Sequence, residues 1–100
     1  MKFVKFVWDS EKEKINKRKH KVTFEEACYI FTDKYQLNLF DVEHSEGEDR
    51  WITIGQATNN RTLVVVHTFK KTEGKEIVRI ISARKASKSE ARQYFERKGK

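Results

Sequence analysis

Val78-Arg79-Ile80-Ile81-Ser82-Ala83-Arg84-Lys85-Ala86 is the stretch that decides how this chain folds. Its Val and Ile content suits a buried strand, and it runs straight into a helix signal, Ser87 with Glu90 three residues on, the spacing of a capping box. Two arginines sit inside and just beyond the apolar core of that strand. Arginine is rarely buried without a partner. The stretch therefore predicts a sheet surface that receives an anion.

Upstream, Lys2–Trp8 alternates Phe3, Lys5 and Val7 against Val4, Phe6 and Trp8, as a strand does. Asp9, then Ser10 with Glu13 at capping-box spacing, signal the start of a helix to about Lys19, in which Ile15 is the one clear apolar anchor and, with Trp8, pins the helix to the body. Thr23 with Glu26 opens a second helix carrying Phe24, Ala27, Cys28 and Phe31 on one face. Strands follow at Leu37–Val42, Arg50–Ala57, Arg61–Phe69 and Ile77–Arg84. They are separated by an acidic loop at His44–Asp49, by Thr58-Asn59-Asn60, and by a polar loop at Lys70–Glu76 centred on Gly74. A last helix runs from Ser87 to Lys98. The order βααββββα groups its strands, which predicts an α+β fold: a mainly antiparallel sheet of four or five strands, two N-terminal helices and a C-terminal helix. With 100 residues and no proline or low-complexity linker, one domain over 1–100 is expected.

No apolar run approaches the ~20 residues that a membrane span needs. Lys2 is followed by strand-like sequence rather than a signal-peptide core, so the expected setting is the cytoplasm, without membrane contact. A single cysteine, Cys28, excludes an internal disulfide and a cysteine-only metal cage, and its apolar neighbours make it a small buried hydrophobe. The net charge of +7 is one-sided: residues 1–50 hold ten Lys/Arg against eleven Asp/Glu, residues 51–100 twelve against four. Such an excess is the electrostatic footprint of a polyanion partner. Lys85, Lys88 and Arg92 are the expected RNA-backbone contacts, with a solvated helix face as the plain alternative.

Strand register brings the candidate chemistry together. A two-residue Asn59-Asn60 loop sets Ile52 opposite His67, and symmetric closure of the Lys70–Glu76 loop sets His67 opposite Arg79. Arg50, His67 and Arg79 then share one face, and Arg84 falls on the other. A one-residue slip in the longer loop would send Arg79 across the sheet. An imidazole beside guanidinium groups suits metal-free cleavage of RNA. A base takes the ribose 2′-hydroxyl proton, that oxygen attacks the adjacent phosphate, cations stabilise the phosphorane, and an acid protonates the leaving 5′-oxygen. On this reading His67 is acid or base, Arg79 and Arg84 clamp the phosphate, Arg50 stands nearby, and Tyr94 donates a proton or stacks on a base. The plain alternatives are a core histidine and a helix-packing tyrosine. Asp41, His44 and Glu48 have metal-ligand chemistry at no recognised spacing, so they read as a solvated acidic loop in which Glu48 pairs with Arg50. His20 reads as a helix C-terminal cap. No metal and no cofactor are expected.

Phe6-Val7-Trp8-Asp9, Asn16, Lys19-His20 and Val22-Thr23-Phe24-Glu25-Glu26-Ala27, with Phe31 and Asp33, form one block of motifs. Asp41, His44, Glu48, Arg50 and Gly55 form a second; Leu63–Val66, Arg79-Ile80-Ile81-Ser82-Ala83-Arg84, Ala86, Glu90 and Tyr94 complete the set. In this order and spacing they resemble the BrnT family of bacterial toxins from about Phe6 to Tyr94. Ser10 stands where the family usually has proline and Lys21 where it usually has glycine, both at helix ends. The resemblance implies a RelE-like fold and an endoribonuclease toxin of a type II toxin–antitoxin pair that cleaves RNA to inhibit translation. It also implies a BrnA-like ribbon-helix-helix antitoxin, a heterotetramer with it, and operator DNA bound through it. The pattern of basic residues and a tyrosine transfers to Arg50, Arg79, Arg84 and Tyr94, whereas His67 rests on strand register alone. The rival reading is a non-catalytic nucleic-acid-binding module that acts with a DNA-binding partner.

Overall fold

The computed structural model describes residues 3–45 and 47–99, so Lys2 of the expected first strand lies outside them. Five strands, β1 (Phe3–Val7), β2 (Leu37–Phe40), β3 (Arg50–Gln56), β4 (Thr62–Thr72) and β5 (Lys75–Lys85), form one sheet of order β1-β5-β4-β3-β2. Three pairings are antiparallel, and β1 joins β5 in parallel, so the sheet is mixed. The helices are α1 (Ser10–His20), α2 (Phe24–Cys28), which tightens into a 3₁₀ turn at Tyr29–Thr32, and α3 (Lys88–Lys98).

Each sheet face has its own core. On one, Leu63, Val65, Val78, Ile80 and Ala83 pack against Val22, Phe24, Ala27 and Ile30, with Phe6, Trp8 and Phe31 around them. On the other, α3 lays Tyr94 over Ile54 and Val64. Gly55 permits the close approach of the 3₁₀ turn: a Cβ there would stand 3.1 Å from the Ile30 Cβ and 3.3 Å from the Ile30 carbonyl. No helix among the described residues is long and apolar enough to cross a membrane.

The first helix begins at one of its two start signals and departs from expectation at its anchor. Asp9 is the N-cap, its carboxylate accepting the Glu11 and Lys12 amides at 2.8 and 3.1 Å, and Ser10 is the first helical residue. Ile15 is 59% exposed. The helix is held instead by Asn16, whose amide donates to the Ala83 carbonyl at 2.8 Å and the Val22 carbonyl at 3.1 Å while its oxygen accepts the Ala83 N–H at 3.0 Å. β1 pairs with β5 only as far as Arg79, so Asn16 satisfies strand groups that no neighbouring strand reaches. Lys21 closes the helix at φ 59°, a left-handed conformation that favours glycine.

Both hairpins differ from the expected register by one residue. The first is a three-residue loop closed by Ala57 N–H to the Arg61 carbonyl, with Asn60 alone at positive φ. It sets Trp51, not Ile52, opposite His67. The second continues pairing to Thr72 and Lys75 and turns at Glu73-Gly74, with Gly74 at φ 76°, so Phe69 opposes Val78. These two slips cancel between β3 and β5, which keeps Arg50 and Arg79 on one face, but they carry His67 to the other. A bulge at Ile81 then adds a residue between the Ile80–His67 and Ser82–Val66 pairs. It returns Arg84 to the face of Arg79, contrary to the strict alternation expected from sequence.

Candidate active site

Arg50 pairs across β3–β4 with Thr68, and Thr68 pairs across β4–β5 with Arg79. The three residues form one transverse row on a sheet face, with the two arginine backbones about 10 Å apart at ordinary strand spacing. The row opens into a cavity of about 240 Å³ lined by Lys12, His44, Glu48, Arg50, Thr68, Arg79 and Ile81. Lys12 comes from the first turns of α1, set by the Asn16 clamp one turn further on. His44 comes from a 3₁₀ turn at Val42–His44 inside the acidic loop. That loop is closed by the Asp41 N–H to the Arg50 carbonyl at 2.8 Å, and the Ser45 hydroxyl accepts the Arg50 N–H at 3.0 Å.

Three of the residues lining the cavity, Lys12, Arg50 and Arg79, are cationic. Arg79 donates to the Glu48 carboxylate, replacing the expected Glu48–Arg50 pair. Arg50 Nε is buried and has no hydrogen-bond partner among the described residues. The Asp41 carboxylate holds His44 Nδ1 at 3.0 and 3.1 Å, which orients the ring and leaves Nε2 as its other nitrogen. Asp41 and Glu48 therefore serve His44 and Arg79 separately, and among the described residues no group of three or more His, Cys, Asp or Glu side chains is placed to hold a metal ion.

The other nominated residues lie elsewhere. His67 is 4% exposed on the opposite face, with Nε2 2.7 Å from the Thr53 hydroxyl and its ring edge-on to Phe31. Burial pushes its pKa down to about 4, against the opposing effect of the Nδ1 bond to the Thr68 carbonyl. The cleft it lines, about 420 Å³ with Phe31, Trp51 and Phe69, has no Lys or Arg among its lining residues. Arg84 shares the face of Arg79, yet both of its terminal nitrogens are taken by Glu90 at 2.7 and 2.8 Å. That bond raises the Arg84 pKa further and pulls Glu90 down to about 2. Tyr94 is enclosed, and its hydroxyl donates to Asp33. Burial and that neighbouring carboxylate push its pKa well above the ordinary phenol range. Burial opposes ionisation of Asp33, but the bonds from Tyr94, Gln56 and Tyr35 and the nearby Lys98 charge outweigh it and hold the carboxyl below its usual range. Lys85, Lys88 and Arg92 are exposed, at the end of β5 and on α3. Cys28 is half-buried, its thiol donating to the Phe24 carbonyl, and burial helped by Glu25 and Glu13 raises its pKa to about 11.

Sequence reasoning did not nominate Lys12, Thr68 or His44 for catalysis. For His44 a signal was present: Asp41 stands three residues before it, a spacing that lets a carboxylate orient an imidazole across one turn.

The fold and the cavity together define a small α+β domain with a cationic cleft open at one end of a mixed sheet. The chain belongs to the family described as the ribonuclease toxin, BrnT, of type II toxin–antitoxin systems, whose family model matches residues 8–90. The 1.1 Å crystal structure of the Brucella abortus ribonuclease toxin BrnT is similar in fold, with a TM-score of 0.57 at 22% identity, covering 85% of this chain and 99% of that one. No curated protein matches the chain significantly.

Proposed function

We propose that this ribonuclease toxin, a single domain over residues 1–100, is a metal-independent endoribonuclease that cleaves RNA by transesterification and so inhibits translation. The reading rests on one observation: Arg50, Arg79 and Lys12 converge with a carboxylate-held histidine on one cavity. A phosphodiester displaces Glu48 from Arg79 and gains a second cationic partner in Arg50, whose Nε has no partner among the described residues. His44 Nε2 takes the 2′-hydroxyl proton, that oxygen attacks phosphorus, and the arginines and Lys12 stabilise the added charge. The leaving 5′-oxygen receives its proton from the resulting imidazolium or from Lys12. His67 and Tyr94 are packing residues in this scheme, and Arg84 anchors α3. Lys85, Lys88 and Arg92 contact the RNA backbone beyond the cleft.

The antitoxin implied by the family is, on this reading, a BrnA-like ribbon-helix-helix protein that forms a heterotetramer with the toxin, binds operator DNA and acts with it in the cytoplasm. RNA incubated with the purified protein, with and without EDTA, tests the chemistry. Cleavage that survives chelation and leaves 5′-hydroxyl ends is expected. Loss of cleavage on chelation would overturn metal independence, and RNA bound but uncut would favour a binding module.

A further inference from the structure

Ile15 is an exposed aliphatic side chain on a helix that is otherwise almost entirely polar, and the fold leaves it outside both cores. It lines a second concavity of about 210 Å³ between α1 and β5, with Lys19, His20, Ile81 and Ser82. This groove adjoins the arginine cavity, since Lys12 and the bulge residue Ile81 line both. Lys12, Ile15, Asn16 and Lys19 stand at helical positions i, i+3, i+4 and i+7, one stripe along α1. From Lys12 to Lys19 the stripe advances about 10 Å along the helix axis. A cationic rim over an aliphatic floor, leading away from a phosphate-binding cavity, matches a strand that is anionic on its backbone and flat and apolar on its bases.

We infer that the α1–β5 groove is a subsite for the single-stranded RNA flanking the scissile phosphate, with Lys19 and His20 on the backbone and Ile15 and Ile81 beneath a base. This inference rests on the cleavage reading of the arginine cavity and extends the substrate beyond it. Asn16 holds the helix against β5 and so fixes the width of the groove. The bulge supplies its floor, since a regular strand would have no extra residue at Ile81.

The test uses the full chain with Lys19→Glu and Ile15→Ala, exposed positions outside the arginine cavity, with melting temperature as a fold check. Binding of a fluorescein-labelled single-stranded oligoribonucleotide is measured across a salt series, and cleavage is compared on long RNA and on a dinucleotide. For Lys19→Glu the expected result is about tenfold weaker binding at low salt and a log–log salt slope shallower by about 0.7 or more. Both variants should cleave long RNA less efficiently through KM and cleave the dinucleotide like the parent. Unchanged RNA affinity and salt slope in both variants would overturn the subsite. So would intact RNA handling with weakened antitoxin neutralisation, which would make the groove a protein contact. If the parent cuts no RNA, the cleavage reading fails, and the binding measurements still decide the groove.

Discussion

Replacing Asn16 with alanine should be among the most damaging single changes outside the apolar core. The side chain is 6% exposed and makes three hydrogen bonds, at 2.8, 3.0 and 3.1 Å, that join α1 to β5 and to Val22. Alanine leaves the Ala83 N–H and two carbonyls without those partners. No strand can replace them, since β1 pairing ends at Arg79. Each buried polar group left unsatisfied costs roughly 1–3 kcal/mol, and water entering the gap recovers part of it, so a net loss of about 3 kcal/mol is expected. For a domain of this size that lowers the melting temperature by about 12–24 °C. Urea unfolding followed by tryptophan fluorescence measures it directly, because Trp8 packs edge-on to Phe24 beside the clamp. Ile15→Ala on the same helix is the control and should cost within about 0.5 kcal/mol, as exposed positions do. A loss below about 1 kcal/mol for Asn16→Ala, or an equal loss for Ile15→Ala, would show that apolar packing rather than the amide clamp holds α1.

Three further outcomes follow from the geometry. Because the folded pKa of His67 is about 4 against an ordinary 6.5, the unfolded chain binds its proton first as pH falls. Stability should therefore drop by about 3 kcal/mol between pH 6.5 and pH 4, and His67→Gln should lack that slope in urea titrations across the same window. Arg79→Ala should reduce RNA cleavage at least 100-fold while costing under about 1 kcal/mol of stability, since its ion pair with Glu48 is solvent-exposed; full activity in the variant would remove Arg79 from the site. Lys21→Gly should raise stability by about 1 kcal/mol in thermal melts, by relieving a left-handed φ of 59° in a residue with a Cβ.

The element order was legible because hydrophobic alternation and the side-chain caps at Thr23 and Ser87 are local signals, and both caps form. Register was not, because it depends on turn geometry that a single asparagine decides. Asn59-Asn60 suits a two-residue turn as well as the observed three-residue loop, and the difference carries His67 from the presumed site into a core. Arg50 and Arg79 stayed together only because the second hairpin slipped by the same amount. The bulge at Ile81 has no local sequence mark at all: Ile-Ile-Ser continues the strand pattern without a glycine. Lys12 was hidden for a different reason. Its helix was expected to be held by Ile15, and only the pairing of Asn16 with Ala83, 67 positions away, fixes which face of α1 looks onto the cleft.

Arg79 and Arg84 show why exposure and residue type do not identify a phosphate ligand. They share a sheet face, and their side chains are 42% and 43% exposed. Their partners differ. Glu90 is fixed three times over: it grips Arg84 with both oxygens, accepts the Ser87 N–H at 2.8 Å, and lies in the first turn of α3, where the capping box orders it. Replacing it with a phosphate would break the start of a helix as well as an ion pair. Glu48 belongs to the loop between β2 and β3, and its side chain is 58% exposed. In the proposed mechanism a phosphodiester takes its place on Arg79 at the cost of one solvated ion pair, worth under about 1 kcal/mol. Of two arginines that look alike in sequence and in accessibility, Arg79 is the proposed substrate ligand because, among the described residues, its carboxylate partner holds up nothing else.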